Sequence, residues 1–169
     1  RGGRSTRVMA GILDGRALAE SIYVDLEARV RARIVAGGPA PMLATVLVGD
    51  DPASATYVRM KQKNAERVGI ASADHRLPAT ATTNEVVSLV AGLNANPDVS
   101  AILVQVPLPA GVDAEAVVEA ISPVKDVDGL HPYNTGRLAL AEPTVKPSTP
   151  AVILAVLRTH QVPLPSRRP

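Results

Sequence analysis

The sequence contains no cysteine, no tryptophan and no phenylalanine, and it has three tyrosines among 169 residues. Without cysteine the chain has neither a disulfide framework nor a thiolate metal site. Its hydrophobic core must therefore be aliphatic, drawn from a sequence that is rich in alanine and valine. The length is enough for one domain with a core of its own, or slightly more.

Other signals are also missing. No apolar run approaches the ~20 residues that a membrane-spanning helix needs. The basic residues 1–7 are not followed by an apolar stretch of the length found in secretory signals. The three histidines, His75, His131 and His160, are scattered without the spacing of metal ligands. We therefore expect a cytoplasmic protein with no bound metal and no membrane partner.

The formal net charge of +2 comes from the two ends of the chain. Residues 1–8 contain three arginines and no acidic residue, and residues 162–169 contain two arginines and no acidic residue. Without these five arginines the chain has 13 basic and 16 acidic residues, which gives a net charge of −3. The body of the chain thus lacks the positive charge of a nucleic-acid-binding surface, and we expect no nucleic-acid partner.

Helical and strand patterns alternate along the chain. A helix at 15–36 is predicted by apolar residues at spacings of four, and continuous apolar runs at 43–48 and 101–106 are typical of buried parallel strands. In chain order we predict helix 15–36, strand 43–48, helix 52–68, a weaker strand 70–77, helix 83–96, strand 101–106, helix 114–121, an irregular segment 122–148 and helix 151–160. This order predicts an α/β fold with three layers, αβα, and a mostly parallel sheet.

Ligands of open α/β sheets bind beyond the carboxyl ends of the strands, and the first candidate segment follows strand 43–48. Asp51 is placed to cap a helix that begins at Pro52. Tyr57 and Lys61 are four residues apart, so they share one face of that helix. Such a pair is more often a half-buried ring beside a solvated lysine, but it would also suit the floor of a small-molecule site. Short-chain dehydrogenases use the same spacing, yet no glycine-rich nucleotide turn precedes Tyr57.

The second candidate segment closes strand 101–106. Gln105 is a polar residue at the end of an apolar run, and Pro107 and Pro109 restrict the loop that follows. Either proline is a candidate for a cis peptide bond. The alternative interpretation is an ordinary exposed glutamine at the end of a strand.

The third candidate segment, residues 125–134, is a polar loop, and long structured loops are often functional. Asp126 and Asp128 suggest either a solvated turn or a cation site, although the further ligands and terminal glutamate of a calcium loop are missing. His131 precedes Pro132 and is a candidate base. Because nothing in the sequence pairs with it, we interpret it as structural.

Taken together, these segments resemble the methylenetetrahydrofolate dehydrogenase/cyclohydrolase family, the bifunctional enzymes of one-carbon folate metabolism. The resemblance runs from about residue 9 to about residue 168. The family usually has cysteine where this chain has Ser148. The matching stretches are Gly11-Ile12-Leu13-Asp14-Gly15, Val48-Gly49-Asp50-Asp51-Pro52-Ala53-Ser54 with Tyr57 and Lys61, Ile102-Leu103-Val104-Gln105-Val106-Pro107-Leu108-Pro109, Lys125-Asp126-Val127-Asp128-Gly129-Leu130-His131-Pro132, and Pro147-Ser148-Thr149-Pro150.

The resemblance implies that Lys61, Gln105 and Asp128 are catalytic. Lys61 would assist the attack of water on the methenyl bridge and help place the methylene carbon for hydride loss. Gln105 would hydrogen-bond near Lys61 and tune its protonation, and Asp128 would hold the amino and ring N–H groups of the pterin. Tyr57 would stack on the pterin ring. Pro107 would join Tyr57, Lys61, Gln105 and Asp128 in the substrate-binding surface.

The resemblance also implies NADP as the cofactor, tetrahydrofolate derivatives as substrates, and a homodimer formed through a second, Rossmann-type domain. The 169 residues contain no Gly-x-Gly-x-x-Gly turn, so we expect no cofactor-binding residue in this chain. We expect a disordered leader at 1–8, a folate-binding catalytic domain at 9–150, and the truncated start of an interdomain helix or linker at 151–169.

By family, the expected function is the NADP-dependent oxidation of 5,10-methylenetetrahydrofolate to 5,10-methenyltetrahydrofolate and the hydrolysis of that product to 10-formyltetrahydrofolate. We expect the 169-residue chain alone to be inactive as a dehydrogenase and at most a weak cyclohydrolase. The alternatives are a folate-binding module without catalysis and an unstable, truncated gene product.

Overall fold

The computed structural model describes residues 12–163, so the predicted leader at 1–8 and the last six residues of the predicted linker lie outside the described part. The described chain forms helices and strands in the order α1 (Gly15–Val35), β1 (Met42–Val48), α2 (Pro52–Arg67), β2 (Ala71–Leu77), α3 (Thr83–Ala95), β3 (Ala101–Val104), α4 (Ala114–Ala120), α5 (Pro132–Ala139) and α6 (Ser148–Thr159).

The three strands form a parallel sheet in the order β2-β1-β3. The central strand β1 is almost entirely buried, as its continuous apolar run predicts. Ala44, Val46 and Val48 point to one face of the sheet, where they join a core with α3 and α4. On the other face, the hydroxyl of Thr45 accepts a hydrogen bond of 2.9 Å from Gln62 of α2. Helices thus cover both faces, and the predicted αβα fold is confirmed.

The larger core lies between the sheet and the pair α3 and α4. Val86 and Val90 of α3 and Val117 of α4 are fully buried there against Ile102 of β3. Burying a valine side chain stabilises a fold by about 1.5–3 kcal/mol relative to leaving it in water. The buried residues of this core are alanine, valine, leucine and isoleucine, so the aliphatic core expected from the composition is confirmed.

The outer helices α1 and α6 are far less buried. Of the apolar residues at spacings of four in α1, Val30 is buried, whereas Ile22 and Ile34 are exposed. No residue of α6 is buried. The two helices contact each other at their ends, where the backbone N–H of Asp14 donates to Nε2 of His160 over 3.0 Å. Among the helices of residues 12–163, none has the length and apolar character to cross a membrane.

Three predicted elements differ from the structure, and one of them is the last helix, α6, which begins at Ser148 and not at residue 151. The segment 122–148 was predicted as irregular but contains α5, which begins at Pro132. The imidazole of His131 caps this helix by accepting the backbone N–H of Tyr133. Strand β3 was predicted to reach residue 106 but ends at Val104. The backbone N–H of Gln105 still donates to the carbonyl of Val46 over 2.9 Å, so strand-like pairing continues for one bond after the strand.

Candidate functional site

Lys61 of α2 and Gln105 meet at the carboxyl end of the sheet. The Nζ of Lys61 donates to Oε1 of Gln105 over 3.3 Å. The amide nitrogen of Gln105 is used elsewhere, because its Nε2 donates to the carbonyl of Val106 over 2.6 Å. The amide of Gln105 is therefore oriented with its oxygen toward the ammonium group.

The position of Lys61 follows from how α2 begins and packs. Asp51 caps the helix by accepting the backbone N–H of Ser54 over 2.7 Å, and Pro52 occupies the first turn. Val58 is fully buried and fixes the rotation of α2 against the sheet. The hydrogen bond from the backbone N–H of Ser54, followed in size by the one from its hydroxyl, holds the pKa of Asp51 below its usual value. The predicted cap is confirmed, and it sets the turn from which Lys61 projects.

Lys61 and Asp128 line the same cavity. Its volume is about 330 Å³, and its wall also contains Val106, Leu130 and residues 147–150. Gln105 is bonded to Lys61 at the edge of this cavity. The structure thus brings together the three side chains that the sequence analysis singled out from a helix, a strand end and a loop. Their catalytic roles stay predictions.

Tyr57 and Pro107 lie near this cavity without lining it. Tyr57 lies one helical turn before Lys61, and it is 55% exposed. Pro107 follows a cis peptide bond, which the proline pattern had suggested. It lines a neighbouring cavity of about 280 Å³ together with Gly49 and Asp51. Both residues therefore border the site, and their predicted contacts with substrate remain predictions.

Asp126 is organised differently from either interpretation offered for it. It is 2% exposed, so it does not belong to a solvated turn. Its Oδ1 accepts the backbone N–H groups of Gly129 and Leu130, and its Oδ2 accepts the N–H of His131 and the amide of Asn134. Both oxygens are thus occupied by donors, and within residues 12–163 no three His, Cys, Asp or Glu side chains are grouped to hold a metal ion.

His131 caps α5. Its Nδ1 accepts the backbone N–H of Tyr133 over 3.0 Å, and its Nε2 lies 3.3 Å from the carbonyl of Glu119. An Nδ1 that accepts leaves the proton on Nε2, which then donates to that carbonyl. Both ring nitrogens are therefore used in local structure, as the structural interpretation of His131 requires.

Ser148 lies beside the site. The sequence analysis noted it only because the resembled family usually has cysteine at this position. It lines the cavity, and its backbone N–H donates to the carbonyl of Asp128 over 3.3 Å. Its hydroxyl lies 3.4 Å from Oδ1 of Asp128, at the long end for a hydrogen bond. The serine is placed at the start of α6, so the loop and α6 meet at Asp128.

A comparison with protein-family models assigns most of the chain. The model described as tetrahydrofolate dehydrogenase/cyclohydrolase, catalytic domain, matches residues 13–128. This chain belongs to that family. The matched residues include Lys61, Gln105 and Asp128, so the whole trio lies within the family's catalytic domain.

Individual members of the family are similar over nearly all of the chain. The bifunctional protein FolD 2 of Geobacter metallireducens is 47% identical over 156 residues, which cover 92% of this chain and 54% of that protein. The bifunctional protein FolD of Desulfovibrio desulfuricans is 48% identical over 152 residues, covering 90% and 53%. The chain spans about half the length of these relatives.

Solved structures of family members share the fold. The bifunctional enzyme FolD of Campylobacter jejuni matches with a TM-score of 0.87 and 38% identity, over 90% of this chain and 54% of that one. The 5,10-methylenetetrahydrofolate dehydrogenase of the silkworm Bombyx mori matches with a TM-score of 0.89 and 38% identity, over 91% and 53%. The FolD of Trypanosoma brucei, solved with NADP cofactor and inhibitor, gives 0.86 and 34%, over 90% and 52%.

The three helices that directly follow strands do not fit the diphosphate of the family's NADP. A helix that follows a strand can bind phosphate at its N-terminus. Here the carboxylates of Asp51 and Asp113 instead accept N–H groups in the first turns of α2 and α4. At the start of α3 the hydroxyl of Thr82 accepts the N–H of Glu85, and the carboxylate of Glu85 accepts the N–H of Thr82. The hydrogen bond from the backbone N–H of Thr82, followed in size by the one from its hydroxyl, lowers the pKa of Glu85. This carboxylate is therefore ionised at neutral pH. The carboxylates at these three helix starts would repel a diphosphate.

Proposed function

We propose that this chain forms the folate-binding wall of a bifunctional methylenetetrahydrofolate dehydrogenase/methenyltetrahydrofolate cyclohydrolase. The whole enzyme would oxidise 5,10-methylenetetrahydrofolate with NADP and hydrolyse the methenyl product to 10-formyltetrahydrofolate. The observation that carries the proposal is the bond between Lys61 and Gln105 beside the cavity that Asp128 lines. A lysine paired with an amide and facing a carboxylate across one cavity can both bind and activate a heterocyclic substrate.

Asp128 supplies the recognition of the pterin. An ionised carboxylate accepts two parallel N–H groups, and such charge-assisted pairs are stronger than neutral ones. The amino group and ring N–H of a pterin present this pair of donors. The cavity of about 330 Å³ lies within the usual range of small-molecule sites. The open ring of Tyr57 would stack on the pterin, and Pro107 would border the bound substrate.

Lys61 supplies the chemistry at the one-carbon bridge. In the hydrolysis, water adds to the methenyl carbon and gives up one proton to the general base. The bond from this carbon to N5 then breaks as the hydroxyl of the adduct becomes the formyl carbonyl, and the hydroxyl proton passes to N5. The bond to Oε1 of Gln105 holds the amino group of Lys61 beside the cavity that Asp128 lines. As the general base, the amine of Lys61 would accept the proton of the attacking water.

The rest of the enzyme would complete the site. We propose that residues 9–150 are the catalytic domain and that residues 151–169 begin an interdomain helix or linker. The apolar residues Val152, Ile153 and Leu154 of α6 are exposed, as expected of a helix that packs against further protein. NADP would bind to that further domain, through which the enzyme would form a homodimer. A cytoplasmic location is part of this proposal.

The test compares two lysines of α2. Hydrolysis of methenyltetrahydrofolate by the 169-residue chain is followed by the loss of its absorbance, and tetrahydrofolate binding is measured by calorimetry. Lys61→Ala should lower turnover by about 100-fold or more, because it removes a general base. Binding should persist. Lys63→Ala is the matched control, since Lys63 is exposed on the same helix and does not line the cavity. Equal turnover of the two variants would contradict the proposed role.

The same measurements separate the alternatives. Binding of tetrahydrofolate without any hydrolysis by the wild-type chain would favour a non-catalytic folate-binding module. An aggregated, polydisperse preparation would favour an unstable gene product. NADP-dependent oxidation of methylenetetrahydrofolate by the 169-residue chain would contradict our placement of the dinucleotide site in another domain. The absence of any folate binding by a folded chain would overturn the proposed function.

A further inference from the structure

We propose that Asp126, which does not line the cavity, is a positioning residue that holds Asp128 in place opposite Lys61. The inference rests on the proposed function, in which Asp128 receives the pterin. Asp126 is a buried carboxylate with four donors, and neither a solvated turn nor a metal site accounts for it.

The bonds of Asp126 close the loop that carries Asp128. Its Oδ1 accepts from the N–H of Gly129 at 3.0 Å and of Leu130 at 3.3 Å. Its Oδ2 accepts from the N–H of His131 and from Nδ2 of Asn134, each at 2.9 Å. Asp128 lies in the chain between the carboxylate and these donors. Its backbone is therefore held on both sides by one buried side chain.

A second set of contacts prevents the closed loop from sliding. Gly129 has a φ of +67°, and a Cβ at this position would lie 2.6 Å from the carbonyl carbon of Lys146. The loop thus packs backbone to backbone on the segment before α6. On that segment, the N–H of Ser148 donates to the carbonyl of Asp128, and the hydroxyl of Ser148 lies near its carboxylate.

The start of the loop is tied to the strand that leads to Gln105. The N–H of Ile102 in β3 donates to the carbonyl of Lys125 over 2.8 Å, and Ile102 pairs with Asp126 as an isolated parallel bridge. The Nζ of Lys125 donates to three carbonyls at the end of α3, those of residues 93, 94 and 96. Asp126 is therefore held against β3, and through its loop it fixes the location of Asp128. The same strand leads to Gln105, which bonds to Lys61.

The carboxylate is required because all four of its partners are donors. Asparagine at 126 would replace one accepting oxygen with an amino group. That group would face either the N–H groups of Gly129 and Leu130 or those of His131 and Asn134. A donor placed against donors leaves buried groups unpaired, which is more damaging than the loss of an ordinary hydrogen bond. We therefore expect Asp126→Asn to loosen the loop while it conserves the volume of the side chain.

The decisive experiment is a double-mutant cycle on the affinity for tetrahydrofolate, measured by calorimetry. Asp126→Asn should weaken binding by about tenfold or more in the wild-type background, because a misplaced Asp128 loses its paired donors. In the Asp128→Asn background, the same change should weaken binding by less than about threefold. Equal losses in the two backgrounds, or no loss in the wild-type background, would overturn the positioning role.

A ligand-free measurement tests the loop itself. Exchange of the backbone amides of residues 129–131 should be at least about tenfold faster in Asp126→Asn than in the wild type, since their common acceptor is impaired. Val90→Ala, a core change in α3, is the control for lost stability. It should leave the affinity for tetrahydrofolate unchanged in the folded protein. Unchanged exchange at 129–131 in Asp126→Asn would overturn the inference.

A milder variant serves if Asp126→Asn does not fold. Asn134→Ala removes one of the four donors to Asp126 and should show the same non-additive loss with Asp128→Asn, at a smaller size. Additive losses for this pair would count against the proposal. Failure of the wild-type chain to bind tetrahydrofolate contradicts the proposed function, whereas the exchange measurement still decides whether Asp126 orders the loop.

Discussion

The two sides of the Lys61 cavity are built in different ways. Lys61 and Gln105 form the helix–strand side, in which regular elements place the functional groups through backbone ladders and buried aliphatic residues. Asp128 and the loop 126–131 form the loop side, in which bonds from backbone N–H groups to the carboxylate of Asp126 do the same work. The two sides are therefore held in place by different kinds of interaction.

This difference predicts how each side responds to mutation. Burial is spread over many atoms, so the helix–strand side loses stability in proportion to the apolar surface removed. The loop side depends on a few buried polar bonds and one close backbone contact, so a single methyl group or a single exchanged oxygen can disrupt it. The loop side should therefore be the more sensitive one per atom changed.

The largest expected effect tests the close contact of the loop side. Gly129→Ala places a methyl group 2.6 Å from the carbonyl carbon of Lys146 at a positive φ, and we expect it to destabilise the protein by about 3 kcal/mol. Urea unfolding gives the loss. Gly136→Ala is the control, since apart from its chain neighbours and the backbone of α5 no atom would lie within 4 Å of its Cβ. That change should be neutral or stabilising by up to about 1 kcal/mol.

An intermediate effect is expected on the helix–strand side. Val58→Ala removes two buried methyl groups between α2 and the sheet, and it should destabilise the protein by about 2 kcal/mol in the same urea measurement. Met60→Ala, on the exposed side of α2, should change stability by less than about 0.5 kcal/mol. If Val58→Ala proved more costly than Gly129→Ala, the proposed contrast between the two sides would be wrong.

The smallest expected effect on stability concerns the cap of α2 by Asp51, and it depends on pH. Because the fold lowers the pKa of Asp51, ionised Asp51 stabilises the protein above its unfolded pKa of about 4, and this contribution is lost as the pH falls through the folded pKa. Asp51→Asn keeps a cap without the charge. At pH 5–7 the wild-type protein should have a higher urea midpoint of unfolding than Asp51→Asn. The difference between the two midpoints should shrink below about pH 4. A constant difference would exclude the charge as its origin.

Sequence patterns predicted the helix–strand side well. Asp51, Pro52 and the apolar run of β1 identify the start of α2, and the spacing of Tyr57 and Lys61 places both on one helical face. Helix α5 was missed for a physical reason. It is eight residues long and contains Asn134 and Gly136, which have low helix propensity. Its stability comes from outside the helix, because Asn134 bonds to Asp126, Pro123 and Thr144.

The sequence by itself determined the αβα class, the aliphatic core, the cap of α2 and the three segments from which Lys61, Gln105 and Asp128 come. Each of these follows from interactions between residues close in the chain, or from a periodicity that marks one buried face. Only the tertiary structure decided that Asp126 is a buried acceptor and that Lys61 bonds to Gln105 beside the cavity of Asp128. It also left the apolar stripe of α1 largely exposed. These outcomes depend on which distant segments meet, and local propensity does not encode that.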